Sequence, residues 1–291
     1  MMTHAAFEKD RENRQEFGGF PFEYYYVDLW HPRYTMPFHW HMECELVSVL
    51  HGTFTLSIDG IPYELTPGTY AFIPSGAIHG GFPADSDCVY ECIVIDLEYF
   101  FKALPLEHGS FSNTLKHGAN ILKLLSGNDR ILKVLKALFT EAHNSGPGHE
   151  LLLTGLICFF IGTVIKEKLY SAPDEKQNHT AQQAHLIKNA LTRIRHDYRS
   201  PLTLEELSAE ATMAPNYFCR IFRNVTGRPP IDYLNYYRIE RAAELIYATN
   251  ENLTTIAMQC GFNDLGYFSR SFKKYKGMSP REYRKQSKAR S

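Results

Sequence analysis

The sequence contains no Cys-x-x-Cys pair. Its six cysteines, Cys44, Cys88, Cys92, Cys158, Cys219 and Cys260, are scattered, which fits small buried hydrophobes in a reducing cytosol. Long apolar runs are missing too. The longest, Leu151–Ile165, spans 15 residues between Glu150 and Lys166 and contains Thr154 and Thr163. A bilayer span needs about 20 apolar residues, so this segment reads as a buried or interface helix and no membrane partner is expected. Residues 1–16 are polar and charged, so no signal peptide is expected. No pattern marks a general base or a second substrate site, and the chain is expected not to be an enzyme.

Net charge is also nearly absent, at −1 over 291 residues, but that figure hides a segregation. Residues 1–184 carry −9, whereas residues 185–291 hold 18 Lys and Arg against 10 Asp and Glu. A basic back half behind an acidic front half points to a polyanion that meets the back half alone.

Residues 20–100 read as short strands. Val47, Val49, Phe54, Leu56 and Ile58 alternate with small polar residues. Asp59-Gly60 has the two-residue hairpin signature, and Pro67-Gly68 and Pro74-Ser75-Gly76 add turns. Together they predict an antiparallel barrel or sandwich. Over 110–170 the apolar spacing becomes helical, ending in the strongly apolar segment 150–169, which needs cover on more than one side. A second subunit would supply it, so a homodimer is expected. Residues 171–184 are polar and apolar-poor and read as a linker. The expected domains are therefore 1–109, 110–170, the linker 171–184, and 185–291.

The back half contains a repeat at a 50-residue offset. Tyr217-Phe218-Cys219-Arg220-Ile221-Phe222 returns as Tyr267-Phe268-Ser269-Arg270-Ser271-Phe272, and Gly227, Pro230 and Tyr233 match Gly277, Pro280 and Tyr283. Each copy reads as helix, tight turn, helix. Thr203 with Glu206 has capping-box spacing, Pro215 suits the first position of a helix, and Gly261 supplies the second turn. In the second copy, Leu253-Thr254 is expected to precede a helix over 255–260. This is helix-turn-helix logic for double-stranded DNA, in which the second helix enters the major groove. Phe218, Ile221 and Phe222, like Phe268 and Phe272, should face the core. The opposite faces carry Asn216, Cys219, Arg220 and Arg223 in one helix and Leu265, Gly266, Ser269, Arg270, Lys273 and Lys274 in the other. Arg suits guanine and Asn suits adenine, while Arg223, Lys273, Lys274 and Lys276 suit phosphate.

Gly261-Phe262-Asn263-Asp264, Tyr267-Phe268-Ser269-Arg270, Phe272-Lys273-Lys274, Gly277, Ser279-Pro280 and Tyr283-Arg284 resemble the signature of AraC/XylS-type transcription regulators. The resemblance covers about 181–284. It implies two helix-turn-helix units joined by a long helix at about 231–249, most often in an activator that works with RNA polymerase on promoter DNA. Ala214 departs from the pattern, standing where a capping Ser is common. Leu265 and Gly266 offer no side-chain hydrogen bond to a base, so the second copy is expected to read less sequence than the first.

In the front half, His39-Trp40-His41, Glu45, Gly52, Gly68, Pro74, Gly76 and His79 resemble the two motifs of cupins, the small barrels found at the front of many such regulators. The resemblance makes His39, His41, Glu45 and His79 candidate ligands of a divalent metal, for which imidazole and carboxylate suit Zn, Fe, Ni or Mn. No cofactor is certain. Those four residues with Tyr24, Trp30 and Trp40 form the candidate effector site, and rings beside polar groups in a barrel mouth suit a carbohydrate.

The expected fold class is α+β: a cupin-like antiparallel barrel with a helical dimerisation segment, then an all-α double helix-turn-helix domain. The expected function is a cytoplasmic, effector-responsive regulator of transcription. The alternatives are a metal-dependent cupin enzyme fused to a DNA-binding module and an architectural DNA binder without an effector.

Overall fold

A computed structural model describes residues 22–29, 31, 34–85, 87–97, 120–144, 146–171 and 175–288. It divides into two compact units, one holding Gly19–Leu29 and Trp40–Ala181, the other Trp30–His39 and Gln182–Ser291.

The strands among the described residues are β1 (Phe22–Val27), β2 (Met36–His39), β3 (Cys44–His51), β4 (Phe54–Ile58), β5 (Ile61–Leu65), β6 (Tyr70–Ile73), β7 (His79–Pro83), β8 (Val89–Ile95), β9 (Asn120–Ile121), β10 (Leu124–Leu125) and β11 (Tyr170–Ser171). They form antiparallel sheets ordered β1-β8-β3-β6-β10 and β2-β7-β4-β5, with a small β11-β9 pair. The β4–β5 hairpin turns on Asp59 and Gly60, both at positive φ (50° and 82°), the geometry a two-residue turn between twisted strands demands.

Residue parity decides what each face of the larger sheet does. Leu46, Phe72, Ile93 and Ile95 belong to a core shared with α1 (Asp129–His143) and α2 (His149–Lys166) through Leu135, Leu138, Leu153, Ile157 and Phe160. The alternate residues, among them Glu45, Val47, Cys92 and Val94, point to the opposite face. There the two sheets meet, with the Phe54 and Tyr90 rings 4.3 Å apart. Asn128 caps α1 by accepting the Arg130 and Ile131 N–H groups.

The remaining elements are helical. α3 (Glu175–Asp197) includes 175–184 of the segment read as a linker, whose Glu, Lys, Gln and Ala are also good helix formers. It is followed by α4 (Leu204–Glu210), α5 (Pro215–Thr226), α6 (Pro230–Ala248), α7 (Leu253–Gln259), α8 (Leu265–Lys276) and α9 (Pro280–Lys288). The capping box at Thr203 and Glu206 forms at α4 and is repeated by Ser279 and Glu282 before α9. α7 begins two residues earlier than expected, because Asn252 caps it by accepting the Thr254 N–H. α5 and α8 end alike: Gly227 and Gly277 both sit at φ 74° and send their N–H groups back to Arg223 and Lys273.

Candidate functional site

Two helices present matched faces. In α5, Phe218, Ile221, Phe222 and Val225 are buried, which leaves Asn216, Tyr217, Arg220 and Arg223 exposed and Cys219 half-buried. In α8, Phe268, Ser271 and Phe272 are buried, and Leu265, Gly266, Tyr267, Ser269, Arg270, Lys273 and Lys274 are exposed. Between them α6 buries Tyr233, Leu234, Tyr236, Tyr237, Ile239, Ala242, Ala243 and Ile246, so it forms the spine of this unit. Its 19 residues give it a length of about 28 Å at 1.5 Å per residue.

The start of each exposed helix is built differently. Ala214 provides no side-chain hydrogen bond to α5. Asp264 caps α8 by accepting the Tyr267 N–H. The Arg220 guanidinium lies 5.1 Å from the centre of the Tyr217 ring. Tyr267 instead accepts a hydrogen bond at its hydroxyl from Asn235 of α6, 3.1 Å away. Sequence reasoning took neither tyrosine as part of this face, although the repeat places both at the same register.

Two of the lysines assigned to phosphate have other partners. Lys276 is half-buried and its Nζ lies 2.5 Å from the buried Glu240 of α6. Burial raises the Glu240 carboxyl even against the opposing effect of Lys276. Lys274 Nζ lies 2.6 Å from Asp232, whose carboxylate also accepts from Tyr275 and Arg228. Burial works against the charged form of Asp232, yet these donors hold its carboxyl below the usual range. The Arg228 guanidinium lies 4.7 Å from the centre of the Tyr236 ring and 5.3 Å from that of Tyr275, two rings that themselves touch edge to face. Arg220, Arg223, Arg270, Lys273 and the Asp232-paired Lys274 are the exposed basic residues on these helices.

The second constellation is the four-residue cluster. Ligand atoms of His39, His41, Glu45 and His79 all lie within 4.8 Å of one another. The residues come from the end of β2, the β2–β3 connection, β3 and β7. A backbone carbonyl holds each imidazole through Nδ1: Pro37 for His39 at 2.8 Å, Glu43 for His41 at 3.0 Å and Ala77 for His79 at 3.0 Å. A carbonyl only accepts, so each ring donates through Nδ1 and turns its Nε2 edge away from that carbonyl. Nε2 of His41 and of His79 lie 3.3 and 3.1 Å from the same oxygen of Glu45. Burial alone would raise the Glu45 carboxyl, but the two histidines hold it well below the usual range. Cys92, read from sequence as a plain buried hydrophobe, hydrogen-bonds Glu45; burial first, and that carboxylate second, push its thiol well up. Three imidazoles oriented by backbone carbonyls and one buried ionised carboxylate fit a divalent cation of the Zn, Fe, Ni or Mn type.

The other predicted effector residues divide. Trp40 is half-buried beside the cluster in sequence, and Trp30 lies outside the described residues. Tyr24 does not face the barrel interior. It pairs across the sheet with Ile93, on the face covered by α1, and its hydroxyl donates to Glu91 at 2.8 Å with His143 Nδ1 3.2 Å away. One residue of register sets this outcome, since neighbouring strand residues point to opposite faces. The ring on the Glu45 side of β1 is Tyr25, opposite Cys92.

Comparisons with known proteins match both parts of the chain. A family model described as AraC-like ligand binding domain matches residues 21–158, and one described as helix-turn-helix domain matches residues 207–286. The chain is 25% identical to an uncharacterized HTH-type transcriptional regulator of Bacillus subtilis, YdeC, over 86% of each chain. It is 24% identical to the HTH-type transcriptional activator RhaS of Mannheimia succiniciproducens, over 87% of this chain and 91% of that one. A crystal structure of an apo ToxT variant from Vibrio cholerae aligns with 91% of this chain and 97% of its own at 16% identity and a TM-score of 0.49. With its ligand-binding domain in front and its paired helix-turn-helix units behind, the chain belongs to the AraC family of DNA-binding transcriptional regulators.

Proposed function

We propose that this protein is a cytoplasmic homodimer that activates transcription, with RNA polymerase, in response to a small polar effector held in its N-terminal barrel. The observation that carries the proposal is the matched pair of exposed arginine-bearing faces on α5 and α8, set on one buried spine in a basic unit. Asn216, Arg220 and Arg270 address base edges, while Arg223 and Lys273 address phosphate. Cys219 and Ser269 lie between them in the same faces. A duplex enriched from a random pool by the full chain tests these roles. Arg220→Ala should cost about 1–3 kcal/mol there and relax the preference at one position. Lys273→Ala should weaken all duplexes alike and lower the salt slope by about 1. An Arg220→Ala protein with unchanged site preference would refute the assignment.

The effector site is the cluster His39, His41, Glu45 and His79 with Trp40 at its side. A carbohydrate suits polar groups next to a ring. A bound cation would supply a positive centre that orients an oxygen-rich effector, and His39, His41, Glu45 and His79 would hold it. A thermal-shift screen of sugars with and without added metal tests this pocket. The four-donor cluster also favours a second reading, a metal-dependent cupin enzyme. Stoichiometric metal together with turnover would promote that reading.

The dimer face is the outer side of α2. Leu151 is 79% exposed and Phe159 51%, with Leu152 between them in chain order and the Cβ-free positions Gly155 and Gly162 spaced along the same stripe. Phe159→Glu should convert a dimer to monomer in sedimentation analysis. An unchanged sedimentation coefficient would rule this face out.

A further inference from the structure

α8 opens on an apolar side chain. Leu265 is its first residue and is 43% exposed, outside the buried set Phe268, Ser271 and Phe272. Asp264 in front of it is occupied as the cap. Gly266 behind it has no side chain, and a Cβ there would lie 3.2 Å from an Arg270 guanidinium nitrogen. The arginine therefore reaches back along the helix, across the place a side chain at 266 would take. Helical spacing puts Leu265 above Ser269 and Gly266 above Arg270, on one surface stripe. Leu265 and the Arg270 guanidinium thus share the first turn of α8, with nothing at 266 to separate them.

The first turn of a recognition helix is the part that meets base edges in the major groove. Leucine has no hydrogen bond to offer there, so it cannot read a donor or an acceptor. One major-groove feature is itself apolar, the C5-methyl of thymine. Resting on the reading of α8 as a DNA-contacting helix, we propose that Leu265 is a specificity residue that selects a thymine in the second half-site by packing on its methyl group, next to the base pair that Arg270 addresses. Cytosine at that place is disfavoured twice. It lacks the methyl, and its amino group would lose water against a side chain that cannot accept its proton. The second helix-turn-helix unit then contributes sequence preference through shape and apolar contact, not through the hydrogen bonds that Asn216 and Arg220 supply in the first.

The test uses the full chain and a duplex enriched by it from a random pool. Each thymine is replaced in turn by deoxyuridine, which removes the methyl and keeps the base pairing, and binding is followed by fluorescence anisotropy. At one thymine the exchange should weaken binding by the unmodified protein about three- to tenfold, the worth of one methyl moved from water to an apolar contact. Leu265→Ala should weaken binding to the thymine duplex by a similar factor and bind the thymine and uracil duplexes equally. Leu265→Met, which keeps an apolar tip, should retain the discrimination. Because the side chain is exposed, both variants should melt as the parent does. If no thymine shows the effect, or if the loss persists in Leu265→Ala, the proposal falls while site-selective binding still upholds the DNA-binding reading of the chain. If no duplex is enriched at all, the DNA-contact reading falls and takes the proposal with it.

Discussion

Gly261 closes the turn between α7 and α8 at φ 82°, and a Cβ there would lie 2.7 Å from the Arg199 carbonyl oxygen and 2.9 Å from that of Tyr198. Gly227 and Gly277 sit at almost the same dihedral, φ 74°, with nothing within 4 Å of a Cβ. Alanine at any of the three carries the left-handed strain of an L-residue, about 1–2 kcal/mol. At Gly261 it must also displace backbone. That backbone cannot yield, because Arg238 of α6 donates to the Tyr198 carbonyl at 2.6 Å and to the Ser200 carbonyl at 2.8 Å. Overpacking against fixed groups costs about 1–3 kcal/mol more. Gly261→Ala should therefore destabilise by roughly 2–5 kcal/mol in total, against about 1–2 for Gly227→Ala or Gly277→Ala. Hydrogen exchange read by mass spectrometry on peptides spanning 253–276 measures the opening free energy of this turn in the full chain. Equal losses at all three glycines would show that the contact with 198–199 does not constrain the fold.

Three more outcomes are expected. Ala214→Ser should add the missing cap to α5 and stabilise the basic unit by about 0.5–2 kcal/mol in urea titration, and an unchanged midpoint would mean the new hydroxyl does not reach the helix. Lys276→Ala should leave the buried Glu240 without its cation at a cost of about 3–5 kcal/mol, which Glu240→Gln in the same chain should partly restore; no restoration would separate the two residues energetically. Lys123 is pushed down to about 8 by burial, opposed by Asp59 and Cys44. The unfolded chain then holds this proton more tightly than the folded one, so stability rises with pH between about 8 and 10.5. Lys123→Met should flatten that rise and stabilise the protein at pH 7 by about 3 kcal/mol, and a parallel pH profile would refute the burial argument.

The helical half was legible because its signals are local. The cap at Thr203, the proline at 215 and the turn glycine at 261 each act within a few residues, and the structure uses each as expected. What failed was long-range. Nothing within α8 tells that Lys276 will meet Glu240 or that Lys274 will meet Asp232, partners 36 and 42 residues away. Of the three lysines in this run, Lys276 is drawn into the unit by buried Glu240, while Lys274 pairs with Asp232 and stays exposed. In the front half the four donors were legible through motif spacing, but the carbonyls of Pro37, Glu43 and Ala77 that orient them carry no residue signature. Tyr24 was misplaced for a different reason. Its face depends on pairing with β8, almost 70 residues on, and a shift of one residue would have turned it inward.

Helices α5 and α8 stop in the same way and begin in different ways. A shared terminator with unlike openings makes each helix a cartridge whose variable end is a single turn. Residues 214–217 and 264–267 could therefore be exchanged while both closures, and the spine they rest on, stayed as they are.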